Sequence, residues 1–346
     1  MKRLLQAAAV LTVVAIAGAL VLNYQVNSFM NTPLDVAGNS ASFEIPAGAS
    51  FTSISTKLIE RELIDSDRWL RIYVRWHGLA GAIQAGDYLI ESGATPESLL
   101  HQFTSGAVHL YAFTLIEGWS YREVLQALHA NEAVKVTMTD EDWPALLDSL
   151  GAEVTHPEGL FLPETYRFPR NTTDRELLRQ AYTLMESVLA EEWARRQEVL
   201  QVHSPYEVLV LASIVEKETA RVDERPRIAG VFSRRLDKRM RLQTDPTVIY
   251  GIGPAFDGNL TRKNMKTDTP YNTYTRHGLP PTPIAMPGRA AINAVLHPEA
   301  GEELYFVATG LGDGSHQFSS TKAEHDIAVA EYLVRLRKKR LSRNLN

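Results

Sequence analysis

Val208-Leu209-Val210-Leu211-Ala212-Ser213-Ile214-Val215-Glu216-Lys217-Glu218-Thr219 reads as a single helix, opened by Ser204-Pro205, a capping hydroxyl followed by a proline at the first helical position. Leu211, Ile214, Val215 and Glu218 stand at i, i+3, i+4 and i+7, which is one helical face. Glu218 therefore points where the apolar residues point. Glu216 falls far round the helix, on what should be its wetter side. A carboxylate on an apolar face is partly desolvated, which disfavours the ionised form and raises its pKa. A general acid working near neutral pH needs that property. The plainer alternative for a lone Glu near a helix end is a salt-bridged surface group, and Lys217, Arg221 and Arg225 are available partners.

Around this helix the second half of the chain reads as mainly helical. Thr173-Asp174 caps a helix running towards Trp193, another spans Arg225 to Lys238, and a short one covers Ala290 to Leu296 before His297-Pro298 stops it. Pro280 to Pro287 is a proline-rich loop. Tyr305 to Ala308 and His316 to Phe318 read as strands joined by the turn Gly310-Leu311-Gly312-Asp313-Gly314. Thr321 and Glu324 have capping-box spacing for a last helix that ends in the basic run Arg335 to Arg340.

In the first half, one pattern recurs three times: a short strand, a turn carrying Ser or Thr, then an amphipathic helix. Phe43-Glu44-Ile45 leads through Ser50 to Ile54, Leu58 and Ile59; Tyr88-Leu89-Ile90 leads through Thr95-Pro96 to Leu99, Leu100 and Phe103; Phe113 to Ile116 leads through Ser120 to Val124, Leu125 and Leu128. Such units suit small α+β modules. Trp69, Tyr73 and Trp76 recur at helical spacing and read as core. Before them, Asn23 to Ser42 is polar, with Pro33, Gly38 and Asn39, and reads as a linker.

Lys2 and Arg3 precede an apolar run from Leu4 to Leu22, about the 20 residues that cross ~30 Å of hydrocarbon as a helix. No basic residue follows until Lys57, so the positive-inside rule places the body of the protein outside the cytoplasm. A cleaved signal peptide is the competing reading, with Ala15, Ala17 and Ala19 as small residues for cleavage. Both readings export the chain. Its 346 residues suffice for more than one domain. A formal net charge of −5 gives no basic field for a nucleic-acid partner. Cysteine is absent, so no disulfide or thiolate metal site is possible. The ten histidines show no metal-ligand pairing, and neither a metal nor a cofactor is expected.

The segment Leu211 to Ala220 resembles the active-site helix of the MltG (YceG-like) family of endolytic murein transglycosylases. The resemblance continues in Glu158-Gly159-Leu160-Phe161-Leu162-Pro163-Glu164-Thr165-Tyr166, in Arg241 to Gly251, in Tyr271-Asn272-Thr273-Tyr274, in Gly278-Leu279-Pro280-Pro281 and Ile284-Ala285-Met286-Pro287-Gly288, and in the two closing strands. It covers nearly the whole chain, and several ordered motifs together are specific. Departures are mild: leucines near Phe161 where some relatives carry tryptophans, and Thr282-Pro283 where others are smaller.

The resemblance implies a membrane anchor, a LysM-like peptidoglycan-binding portion and a catalytic domain with one essential glutamate. That residue maps to Glu218, which is followed by the hydroxyl residue Thr219 as in lysozyme-like transglycosylases. The expected fold is therefore α+β: a cytoplasmic stub (residues 1–3), a transmembrane helix (4–22), a linker (23–42), a LysM-like module (43–110) and a mixed α+β catalytic domain (111–340) with a helix-borne catalytic Glu. The expected activity is that of a lyase. It cleaves the MurNAc–GlcNAc β-1,4 bond in nascent glycan strands at the periplasmic face of the cytoplasmic (inner) membrane, leaves 1,6-anhydroMurNAc ends, and works beside peptidoglycan synthases. Asp245, before Pro246, reads first as a helix cap and second as a site carboxylate. Glu164 is a loop acceptor or a cleft residue. Gln243, Tyr271, Asn272 and Tyr274 either bind sugar or build a turn with tyrosines packed beneath it. Two rival readings are a non-catalytic wall-binding scaffold and a hydrolytic muramidase with two carboxylates.

Overall fold

The hydroxyl residues expected to start helices all do so. Ser50, Thr95, Ser120, Thr173 and Ser204 each accept a bond from the backbone N–H three residues on, which satisfies an otherwise unpaired donor of the first turn. The structure is a computed structural model that describes residues 1–343. Its chain divides into two compact units, residues 1–111 with 167–171, and residues 112–166 with 172 onward.

The first unit holds α1 (Lys2–Met30), β1 (Ser40–Ile45), α2 (Phe51–Glu60), α3 (Arg68–His77), β2 (Gly86–Glu91) and α4 (Pro96–Ser105). β1 and β2 pair antiparallel with Phe43 opposite Tyr88, and both rings meet Phe103, at 5.7 and 4.7 Å between centroids. Ile54, Leu58, Leu70 and Val74 close this core from the helices. Trp69 and Tyr73 pack against it, but Trp76 is 53% exposed and is not core, contrary to its helical spacing.

α1 is long and apolar enough to cross a membrane. It also overturns the linker expected at 23–42. Asn23 to Met30 continue the helix, Val26 and Met30 are buried in the first unit's core with Leu34, and β1 already begins at Ser40. Polar residues on the outer side hid a seam of two apolar residues spaced i and i+4.

β3 (Leu110–Thr114) pairs with β4 (Thr165–Pro169) in a second two-stranded sheet. The second unit contains α5 (Tyr121–His129), α6 (Trp143–Leu150), α7 (Asp174–Ala194), α8 (Pro205–Glu218), α9 (Arg225–Asp237), α10 (Asp245–Ile252), α11 (Arg262–Lys266), α12 (Arg289–Leu296), the antiparallel hairpin β5 (Tyr305–Ala308) and β6 (His316–Ser319), and α13 (Lys322–Arg343). α8 is its axis: every residue from Val208 to Val215 is buried, and α7, α9 and α12 pack on it. A helix apolar on all sides belongs in a core.

The proline-rich loop packs into this core rather than running over the surface. Residues 283–288 are buried, and their backbone polar groups are met in turn. Ile284 N–H donates to Ser213 Oγ at 2.9 Å. Met286 exchanges bonds with Trp119 and Gly118 at 2.7 and 2.9 Å. Gly159 has φ +79°, and a Cβ there would lie 2.5 Å from Pro283, so the Glu-Gly-Leu turn meets this loop only with glycine.

Candidate active site

Glu218 is the last residue of α8, and Thr219 leaves the helix with extended backbone. The residue is half-buried. Burial pushes its carboxyl above the usual carboxylate range; the Thr244 hydroxyl, which donates to Glu218 Oε1, opposes that, the negative charge of Asp245 adds to it, and the Arg235 cation also opposes it. The negative end of the α8 dipole acts in the same sense as burial. The result is a carboxyl biased towards its protonated form.

Thr244 and Asp245 are placed differently from the sequence reading. Thr244, not Asp245, occupies the cap position of α10, and its side chain caps nothing. Its hydroxyl is given to Glu218 instead. Asp245 is the first helical residue, where a negative charge suits the helix dipole, and its Oδ1 accepts the Tyr274 hydroxyl at 2.6 Å.

Two open clefts meet at Glu218. The first, of about 430 Å³, is lined by Gln243, Asp245, Tyr274, Tyr305 and His316 among others. The second, of about 410 Å³, runs past Thr219, Gly310, Gly314 and Tyr332. Glu218, Ala308 and His316 line both. Glu218 thus stands where two cavities adjoin. Arg235 fixes the wall behind it. Its guanidinium donates to the carbonyls of Leu242 and Leu304, each at 2.6 Å, and it lies over the Tyr305 ring.

Glu216 is not the wetter of the two carboxylates. Its side chain is only 5% exposed, pairs with Arg225 at 2.5 Å and accepts the Gly288 N–H at 3.1 Å. Burial raises it to about 7. From Val208 to Val215 α8 is buried on every side, so helical phase alone could not separate Glu216 from Glu218. Their partners do: Glu216 is occupied in holding α9 and the buried loop, and Glu218 faces the clefts.

The structure brings Gln243, Asp245 and Tyr274 to Glu218 and leaves Tyr271, Asn272 and Glu164 elsewhere. Gln243 is exposed at the first cleft with φ +51°, an uncommon left-handed geometry for a side-chain-bearing residue. It is held there by its N–H bond to the Thr273 carbonyl at 3.2 Å. Asn272 has no exposed surface. Its amide reaches the carbonyls of Asn264, Met265 and Thr267 at 3.2, 3.1 and 2.7 Å and accepts the Tyr274 N–H at 2.9 Å. Asn272 therefore shapes the loop that presents Tyr274. Tyr271 shares a 2.9 Å bond with the Thr282 hydroxyl and meets the Tyr250 ring edge-on at 4.9 Å. Glu164 is exposed, outside both clefts, and accepts the Thr165 N–H at 2.8 Å. Thr244 and Arg235 escaped the sequence reading. Only the hydroxyl beside Asp245 offered a local hint.

The YceG-like family model matches residues 43–331. This chain belongs to the YceG-like family. Among curated relatives, an endolytic murein transglycosylase of Bacillus subtilis is 31% identical over 311 residues, covering 85% of each chain. An endolytic murein transglycosylase of Streptococcus pneumoniae is 27% identical over 84% of this chain, which spans 58% of that longer protein. The crystal structure of a YceG-like protein from Listeria monocytogenes superposes with a TM-score of 0.54 at 29% identity, covering 84% of this chain and 99% of that one.

Proposed function

We propose that this chain is a membrane-anchored peptidoglycan lytic transglycosylase with Glu218 as its acid. The observation that carries the reading is the desolvated Glu218 carboxyl at the junction of two clefts, in a chain whose curated relatives are named endolytic murein transglycosylases. Protonated Glu218 donates to the oxygen joining N-acetylmuramic acid to N-acetylglucosamine, with one sugar in each cleft. The muramic acid's own C6 hydroxyl closes on the anomeric carbon, the glycosidic bond breaks, and a 1,6-anhydro end forms without consumption of water. Gln243, Asp245 and Tyr274 supply polar contacts on one side of the scissile bond.

The rest of the chain serves delivery. α1 anchors it, and Lys2 and Arg3 before the apolar run, with no basic residue until Lys57, favour an extracytoplasmic body. Residues 43–110, whose strand–helix–helix–strand order closes an antiparallel pair, support a LysM-like peptidoglycan-binding module; residues 111–340 are the catalytic domain. Cleavage within nascent strands places the enzyme beside the synthases that make them.

Digestion of purified glycan strands by the detergent-solubilised chain tests the reading. Products lighter by one water than reducing ends are expected. The carboxylate of Asp245 in the same cleft favours one rival, a hydrolytic muramidase that uses it as the second carboxylate. Reducing ends in place of anhydro ends would establish that rival and remove the lyase.

A further inference from the structure

Resting on the transglycosylase reading, we infer that His316 is the base that takes the C6 hydroxyl proton, and that Glu224 is the residue that positions it. The cyclisation needs two proton movements at one anomeric carbon, one onto the leaving oxygen and one off the attacking oxygen. Both must occur where the two clefts meet. Three residues line both clefts, Glu218, Ala308 and His316. Of these, only His316 can join Glu218 in carrying a proton. Asp245 borders the first cleft alone, and one of its oxygens is already bonded to Tyr274.

The imidazole is fixed on its far side. His316 Nδ1 lies 2.7 Å from Glu224 Oε2, and the His316 backbone N–H donates to Glu224 Oε1 at 3.0 Å. A carboxylate only accepts, so the Nδ1 of the neutral ring carries the proton and Nε2 presents a lone pair. Among the described residues no protein group bonds Nε2. The ring is held edge-on to Phe306 at 5.6 Å, and Arg221 holds Glu224 from behind at 3.8 Å. An oriented carboxylate–histidine pair facing a cleft is the arrangement by which a neutral imidazole is prepared to accept a proton and is stabilised once charged.

The step balances as follows. The C1–O4 glycosidic bond breaks and O4 takes the Glu218 proton; the O6–C1 bond forms and the O6 proton passes to His316 Nε2. The imidazolium then returns a proton to the Glu218 carboxylate, and both groups are reset without water or cofactor.

His316→Ala and Glu224→Gln in the full chain test the assignment, with anhydro-end formation on purified strands as the readout. His316→Ala is expected to lower kcat by about 10²-fold or more, the usual yield of a positioned acid or base, with KM within about threefold. Glu224→Gln keeps the shape but no longer fixes the tautomer, and is expected to lower kcat by about tenfold or more with KM similarly preserved. A His316→Ala chain with wild-type kcat overturns the inference while leaving the transglycosylase reading intact. So does a rise in KM alone, or a kcat loss that merely tracks a lowered melting temperature. A His316→Ala chain that does not fold passes the decision to Glu224→Gln by the same split. Wild-type chain that makes no anhydro ends overturns the transglycosylase reading and this step with it.

Discussion

Glu158→Gln should change how the stability of this protein depends on pH. Glu158 is fully buried, accepts the Tyr121 N–H at 3.0 Å and the Tyr250 hydroxyl at 2.9 Å, and is pushed by burial from 4.5 up to about 8. Between those values the folded chain keeps a proton that the unfolded chain has released, so the unfolded state binds fewer protons and stability falls as pH rises. The slope is about 1.4 kcal/mol per pH unit from this one group. Its contribution is fully present below the ordinary glutamate value and is lost as pH rises through about 8. Glutamine is neutral throughout and still offers an acceptor to Tyr121. The difference in unfolding free energy between Glu158→Gln and the wild type should therefore grow by about 4 kcal/mol, in favour of the variant, from about pH 5 to about pH 8. Glu216, raised to about 7, adds a slope of the same sign to both proteins and cancels. Urea unfolding of the two chains across that range measures the difference. Parallel pH profiles would refute the buried, proton-retaining Glu158.

Four further outcomes are expected. Glu218→Gln should lower kcat on glycan strands by about 10²–10⁴-fold; near-wild-type turnover would remove Glu218 as the acid. Because the Glu218 carboxyl is raised, the alkaline fall of kcat/KM should begin only above the usual carboxylate range. Thr244→Val, which removes a donor to the ionised form, should move that alkaline limb up, and Asp245→Asn, which removes a like charge, should move it down; shifts in a common direction would contradict the site's electrostatics. Asn272→Ala should cost about 2–4 kcal/mol in urea unfolding, since three backbone carbonyls and the Tyr274 N–H lose their partner; an effect under about 1 kcal/mol would show that the loop does not depend on it. Gly159→Ala combines a left-handed φ with a Cβ 2.5 Å from Pro283 and should cost about 2 kcal/mol or more, and an unchanged melting curve would show that the turn and the loop are not pressed together.

The amino-acid sequence by itself determined whatever depends on neighbours a few residues apart. Serines and threonines opened helices at Ser50, Thr95, Ser120, Thr173 and Ser204 because the donors they satisfy lie three residues on. The glycine-rich turn after Ala308 made a hairpin, and the apolar run after Arg3 made a helix long enough for a membrane. Motif order carried the family. Tertiary structure alone decided what each polar group faces. Glu216 and Glu218 share one helix, yet Arg225 of the following helix and Gly288, 72 residues on, occupy the first, while two clefts border the second. Asn272 turned inward onto carbonyls and Glu164 outward, while Thr244 gave its hydroxyl to a carboxyl 26 residues away. Capping energies are local and survive in any context. Burial and charge at a site are sums over chain segments remote in sequence, so they exist only once the chain has folded.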